Sequence, residues 1–335
     1  MKKILITGAG GYIGSVATYV FLEKGYEVVA LDNFSTGYKK PLEVLQEKFG
    51  AENLHIYEGD IKDKIESVLS AEKDIQAVIH YAANCSVNES MQQPEKYFLN
   101  NTVSAAILLK ALLDHNIKNI IFSSTCAVYG EAEYVPLDEK HPTKPANPYG
   151  ESKRMTETMI GWYGKLKGLN YIILRYFNVC GATDDGLIGD SKKPSVHLIQ
   201  NAVRGALDIE PLHLTFPEVD TPDKSPIRDY VNVVDLNNAH VMALEHLLKG
   251  GKSEILNLGT GTGDSVLEII TEVEKKTGKT LPKEKGEERR GEYAKMVADT
   301  ARAKEVLGWS PEHSLSQSID SSVSWYTRNP HGWER

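Results

Sequence analysis

The residues with the most direct chemical meaning are Tyr149 and Lys153, in the run Tyr149-Gly150-Glu151-Ser152-Lys153. Four positions apart on a helix, the two side chains share a face, and an ammonium held near a phenol favours the phenolate. That draws a group with a reference pKa of about 10 towards use as a base near neutrality. A second pattern, Gly8-x-x-Gly11-x-x-Gly14, lies between the apolar run Ile4-Leu5-Ile6 and a helical stretch from Ser15 to Lys24. The first N–H groups and positive dipole end of such a helix can hold a pyrophosphate. Asp32 ends the next apolar run, Val28-Val29-Ala30-Leu31. It stands roughly 20 residues beyond the glycines, where an acid accepts the adenosine ribose hydroxyls. Its charge would repel a 2′-phosphate, so NAD is expected rather than NADP. A Tyr/Lys pair alone could equally be a solvent-facing or packing feature, and three glycines alone a tight turn. Together with Thr125 at a strand end they point to one site.

Those groups need a sheet to carry them. The first 35 residues read as strand, glycine turn, helix and strand, with Val16, Val20 and Phe21 towards one side of the helix and Gly25 ending it. Further short apolar runs follow at Leu54 to Tyr57, Ala77 to His80, Ile120 to Phe122 and Tyr171 to Leu174, separated by helical stretches such as Thr102 to His115 and Glu151 to Lys167. Each ends in polar or small residues, and in a parallel sheet that end faces the ligand crevice. Beyond Gly181 the periodicity weakens. Helices are predicted near His197 to Leu207, Val233 to Lys249 and Val266 to Gly278, with Pro211 to Pro226 as loop or short edge strands. Ile255 to Leu258 reads as a strand able to rejoin the sheet, so a clean division at residue 180 is not expected.

The bulk numbers bound the function. A chain of 335 residues, 41% hydrophobic and 25% charged, can build a full core without staples. Its 38 basic against 46 acidic residues give a net charge of −8, which offers no cationic field to nucleic acid or an anionic membrane. Cys85, Cys126 and Cys180 have neither disulfide-framework nor metal-ligand spacing, and no metal site is expected. No targeting or membrane-spanning stretch precedes the glycine loop, so the cytoplasm is the expected location.

The glycine loop, Asp60-Ile61, the run from Ser123 to Gly130, Tyr149-x-x-x-Lys153 and Arg175-Tyr176-Phe177-Asn178 resemble the extended short-chain dehydrogenase/reductase superfamily. Adding His80-Tyr81-Ala82-Ala83, Asn88-Glu89-Ser90, Arg228-Asp229-Tyr230 and Asn257-Leu258-Gly259, the chain resembles the UDP-glucose 4-epimerase family over nearly its whole length. The resemblance implies an α/β modified Rossmann fold with a parallel sheet and a smaller, mostly C-terminal α/β substrate region. Residues 1–180 would be predominantly NAD-binding and 181–335 predominantly nucleotide-sugar-binding, with some segments interleaved.

It also implies roles. Tyr149 is the catalytic base, Lys153 holds the nicotinamide ribose and tunes Tyr149, and Thr125 lies beside the reacting hydroxyl. NAD would contact Gly8, Gly11, Tyr12, Ile13, Gly14, Asp32, Asn33, Asp60, Ile61, Tyr81, Ala82, Ala83 and Tyr176, besides Tyr149 and Lys153. The UDP-sugar would contact Thr125, Asn178, His197, Leu198, Leu214, Phe216, Arg228 and Arg289. The implied reaction is 4-epimerisation through a 4-keto sugar, with UDP-glucose/UDP-galactose as the leading pair and UDP-N-acetylglucosamine or UDP-arabinose/UDP-xylose as alternatives; a homodimer is implied too. Arg175, ending a buried strand, reads as a structural ion-pair partner. Two departures stand out: Cys85 replaces a usual lysine, and Met296 replaces a sugar-pocket tyrosine. A dehydratase would need an Asp-Glu pair where Cys126-Ala127 stands. A non-catalytic NAD-sensing protein is opposed by Thr125, Tyr149 and Lys153 together.

Overall fold

The computed structural model describes residues 2–193, 195–214, 216–282 and 293–333. Its centre is a parallel sheet of β1 (Lys3–Thr7), β2 (Glu27–Asp32), β3 (Leu54–Glu58), β4 (Ile75–His80), β5 (Asn119–Thr125) and β6 (Asn170–Tyr176), joined late in the chain by a seventh strand, Glu254–Leu258, beside β6. From one edge the order is β3, β2, β1, β4, β5, β6 and then that late strand. Between β1 and β4 the chain reverses its direction of travel across the sheet. This is the switch point where such sheets bind ligands, beyond the carboxyl ends of their strands.

The central strands are mainly apolar because both faces are covered. Ile4 and Ile6 point to one face, packing against Val16, Val20 and Phe21 of α1 (Tyr12–Glu23); Leu5, between them, points to the other. That second face is closed by α3 (Ile61–Ala71), through Ile65 and Val68, and by Leu108 and Leu112 of α6 (Ser104–Asp114); α2 (Lys40–Phe49) covers the edge beside α1. Short helices α4 (Val87–Gln92) and α5 (Pro94–Tyr97) lead into a π-helical turn, Phe98–Val103, ahead of α6. The helix read from Thr102 to His115 therefore begins in this wider turn. Such turns are often found at functional sites.

Helix α7 (Pro148–Lys167) opens with Pro148 at its first position and the Asn147 side chain accepting from Gly150 N at 2.8 Å. This start fixes the rotation of Tyr149 and Lys153 towards the sheet.

The second region uses smaller pieces. β7 (Asn178–Cys180) pairs with β9 (Tyr230–Asn232), and β8 (Ile227–Arg228) lies between β11 (Asp264–Ser265) and β12 (Lys295–Met296); in this numbering the late strand of the main sheet is β10. Around them stand α8 (Leu198–Ala206), α9 (Val233–Leu248), α10 (Val266–Thr277), α11 (Ala301–Leu307) and α12 (Leu315–Arg328). Ile199, Val203, Ile269, Ile270, Ile319 and Trp325 form a separate apolar core there. Helix α9 instead packs on the first core, and its Asn237 accepts from Tyr81 Oη at 2.8 Å. Among the described residues, no helix is long and apolar enough to cross a membrane.

Candidate active site

A cavity of about 540 Å³ runs from the glycine loop, past Thr125 and Tyr149, to Arg228 and Met296. At the glycine end, Gly8 has φ +75°, and a Cβ there would lie 2.6 Å from Ala82 N. A Cβ at Gly14 would lie 2.0 Å from Gly8 O, so loop and helix meet only because neither residue has a side chain. Helix α1 has no side-chain N-cap and no acid in its first turn, which leaves its leading N–H groups for an anion. Gly11 opens onto the cavity, its nearest obstacle being Gly8 O at 3.4 Å from a notional Cβ. This cradle and its uncapped donors fit a dinucleotide diphosphate.

Asp32 accepts from Gly10 N at 2.8 Å and Phe34 N at 2.7 Å. Burial pushes its carboxyl upward, and these backbone bonds oppose the shift. Each oxygen retains acceptor capacity for a ribose hydroxyl. Asp60 caps α3, accepting from Lys62 N, and also takes Asn33 Nδ2 at 3.3 Å. Tyr81 N and Ala82 N both donate to Thr7 O, at 3.0 and 3.1 Å, which ties the end of β4 to the glycine turn.

At the chemical centre, the Lys153 ammonium donates to Ser123 O at 2.7 Å and sits 4.9 Å from the Phe122 ring centroid. Burial lowers Lys153 to about 8, while Cys85 and Glu157 favour its charged form. Burial also holds the Tyr149 phenol well above its ordinary value, against a hydrogen bond to Thr125. The Lys153 ammonium is directed to Ser123 O, and burial is the first influence on the Tyr149 phenol. Tyr176 Oη meets Ser123 Oγ, which ties β6 to β5 beside this centre.

Beneath them lies a buried charge pair. Glu157 takes Arg175 Nε at 2.9 Å, Arg175 Nη2 at 2.6 Å and Ser124 Oγ at 2.5 Å. Burial opposes the Arg175 charge, and Glu157 more than offsets it, so the guanidinium is held above its ordinary range. Arg175 thus acts as structural support between β6 and α7.

At the far end, Arg228 Nη1 donates to Ile227 O at 2.9 Å and Tyr293 O at 2.8 Å, and Met296 is its register partner in β12. Asn178 and His197 also line the cavity, with His197 tilted against Tyr12 at 6.0 Å. Tyr12 Oη reaches Gly181 O at 2.5 Å, linking the glycine loop to the second region.

All the residues read as cofactor contacts line this one cavity, as do Thr125, Asn178, His197 and Arg228. Leu198, Leu214 and Phe216 do not; they pack into the second region's apolar core. Arg289 lies outside the described residues. Burial pushes Cys126 up to about 12, consistent with an inert packing thiol. Asn101 escaped the sequence reading. Its side chain accepts from Asn84 N at 2.8 Å and donates to Asn84 O and Ser152 Oγ, both at 3.0 Å, which holds the loop after β4 against α7.

Comparison with known proteins agrees with this layout. Residues 4–259 match the model of the NAD dependent epimerase/dehydratase family. A UDP-glucose 4-epimerase of Halalkalibacterium halodurans is 40% identical over 333 residues, covering 98% of this chain and 97% of that protein. The structure of UDP-glucose 4-epimerase from Bifidobacterium longum in complex with NAD+ and UDP superposes with a TM-score of 0.93, at 35% identity, covering 99% of this chain and 100% of that one. The UDP-Glc/GlcNAc 4-epimerase of Campylobacter jejuni gives a TM-score of 0.83 at 34% identity, over 98% and 100% of the respective chains. The chain belongs to the UDP-glucose 4-epimerase family, within the NAD dependent epimerase/dehydratase family.

Proposed function

We propose that this cavity carries out NAD-dependent interconversion of UDP-glucose and UDP-galactose. The observation that carries the reading is the continuity of one cavity through the glycine cradle, the Thr125–Tyr149–Lys153 centre and the Arg228–Met296 end. The chemistry that NAD supplies when bound is reversible hydride acceptance at the sugar C4, so no external redox partner is consumed. Tyr149 Oη takes the 4-hydroxyl proton as the C–H bond breaks and returns it in the second half-reaction. Thr125 holds that hydroxyl towards Tyr149. Lys153, fixed on Ser123 O, supplies positive charge behind the reacting pair. Asn178 and Arg228 bind the UDP diphosphate, with Arg289 as a third contact, while the sugar turns to present its other face. Asp32 selects NAD over NADP by accepting the ribose hydroxyls.

The test is conversion of UDP-galactose by gel-filtered protein without added cofactor, repeated with Tyr149→Phe. Loss of a general acid/base predicts a fall of about 10²–10⁴-fold with UDP binding retained. Near-normal turnover in a folded, NAD-loaded variant would assign the base elsewhere.

Met296 supports a second reading, activity on N-acetylated UDP-hexoses. A flexible, apolar side chain at the sugar wall can yield to a larger ring substituent. UDP-arabinose/UDP-xylose would leave the space for the exocyclic carbon unfilled.

Residues 1–180 serve mainly the dinucleotide and 181–335 mainly the nucleotide sugar, in our reading. We also propose a homodimer. Met91, Leu99, Met155, Trp162 and Leu166 are exposed by 61%, 58%, 39%, 54% and 65% on the neighbouring helical segments 87–103 and α7, an apolar face suited to a second copy. Sedimentation showing only monomer at micromolar concentration would contradict it. We also propose a cytoplasmic location, with which three free cysteines agree, to be checked by cell fractionation.

A further inference from the structure

The described cavity wall carries three Lys or Arg side chains: Lys153, Arg228 and Lys192. Lys153 is committed to Ser123 O, and Arg228 stands at the sugar end with two main-chain carbonyls. Lys192 is different. Its backbone belongs to a braced segment: Trp325 Nε1 donates to Asp190 O at 3.0 Å, Tyr38 Oη to Ser191 O at 2.9 Å, and Trp333 N to Ser191 Oγ at 3.1 Å. Lys192 N itself donates to Asp190 Oδ1 at 3.0 Å. From this support the side chain reaches Cys85 Sγ, 3.2 Å away on the loop after β4.

A thiol sulfur is a weak acceptor for an ammonium. Among the described residues Lys192 has no carboxylate within ion-pair distance. The nearby Glu89 is already engaged by Lys96 at 2.6 Å and by Tyr97 Oη at 2.8 Å. Meanwhile the carboxylates on the cavity wall are Asp32, Asp60 and Asp190, which disfavour an anion except where donors face it. A dinucleotide brings two phosphate charges into this space. The α1 N-terminus offers partial charge, and Lys192 offers a full one.

We propose that Lys192 is a cofactor-retaining residue whose ammonium binds the dinucleotide diphosphate, bridging the segment at 189–192 and the loop at Cys85 across the cavity. The inference rests on the functional reading above, and the ligand chemistry, a diphosphate, is shared with the UDP-sugar. The test must therefore separate the two. Lys192→Met keeps the stem and removes the charge. NAD released on denaturation after gel filtration is measured for both proteins, together with NAD and UDP affinities by calorimetry. Losing one charge-assisted hydrogen bond predicts NAD binding about 10-fold weaker, a lower retained NAD content, and UDP affinity within about twofold of wild type. Adding Cys85→Lys to Lys192→Met returns an ammonium from the other wall and is expected to restore retention. Unchanged NAD content and affinity in Lys192→Met would overturn the proposal, as would weakened UDP binding with NAD unaffected. Failure of Cys85→Lys to restore any retention would also count against it. A wild-type protein that neither carries nor binds NAD would overturn the functional reading as well, and is distinguished by the wild-type measurement alone.

Discussion

The two ends of the cavity are built by different means. At the dinucleotide end, the geometry is mainly backbone: a glycine turn, an uncapped helix start and the carboxyl ends of β1, β2 and β4. At the sugar end, short strands bring together side chains from distant parts of the chain, with Arg228 in β8 opposite Met296 in β12. A site made from backbone has little freedom to vary without losing its ligand. One made from side chains on two-residue strands can change specificity while the sheet behind it stays intact.

The largest effect that separates the two ends is expected from Gly14→Val. A Cβ at position 14 would lie 2.0 Å from Gly8 O, so the turn must open and NAD binding should be lost, read as absence of NAD in the purified protein. A Gly14→Val protein with full NAD content would refute the backbone-built cradle.

Next in size is Glu157→Gln. It leaves Arg175 as an uncompensated buried cation, at 5% side-chain exposure, under the floor shared by both ends. Breaking a buried pair on one side costs about 3–5 kcal/mol, so the urea midpoint should fall clearly. An unchanged midpoint would show that the pair is not a structural support.

The dinucleotide end was also the more legible in sequence, because its parts are local. The spacing of Gly8, Gly11 and Gly14, the strand-ending Asp32 and the i, i+4 pair Tyr149 and Lys153 each follow from one element or one turn. The role of Asn101, within the π-helical turn Phe98–Val103, was not legible, since it depends on Asn84 and Ser152 from other elements. The Lys192–Cys85 contact spans 107 residues, and no local pattern marks it. Leu198, Leu214 and Phe216 illustrate the same limit: an apolar side chain in a motif does not declare which face it takes, and here these three belong to a core. Lys153 gives a subtler case. Helical spacing correctly placed it on the face of Tyr149, but only the fold shows that Ser123 O receives its ammonium.

The smallest expected effect sharpens the comparison from the sugar end. Met296→Tyr should leave NAD content and UDP-glucose turnover nearly unchanged while lowering kcat/KM for UDP-N-acetylglucosamine, by about 10-fold if one crowded contact decides the fit. Equal losses on both sugars would remove Met296 as the discriminating residue.

The central claim is that one cavity removes and returns the same hydride at the sugar C4. The most direct measurement follows UDP-galactose deuterated at C4 through conversion by gel-filtered protein with no added cofactor. The account predicts UDP-glucose that retains the deuterium at C4. Product carrying solvent hydrogen at that carbon, or no conversion by NAD-loaded protein, would contradict it.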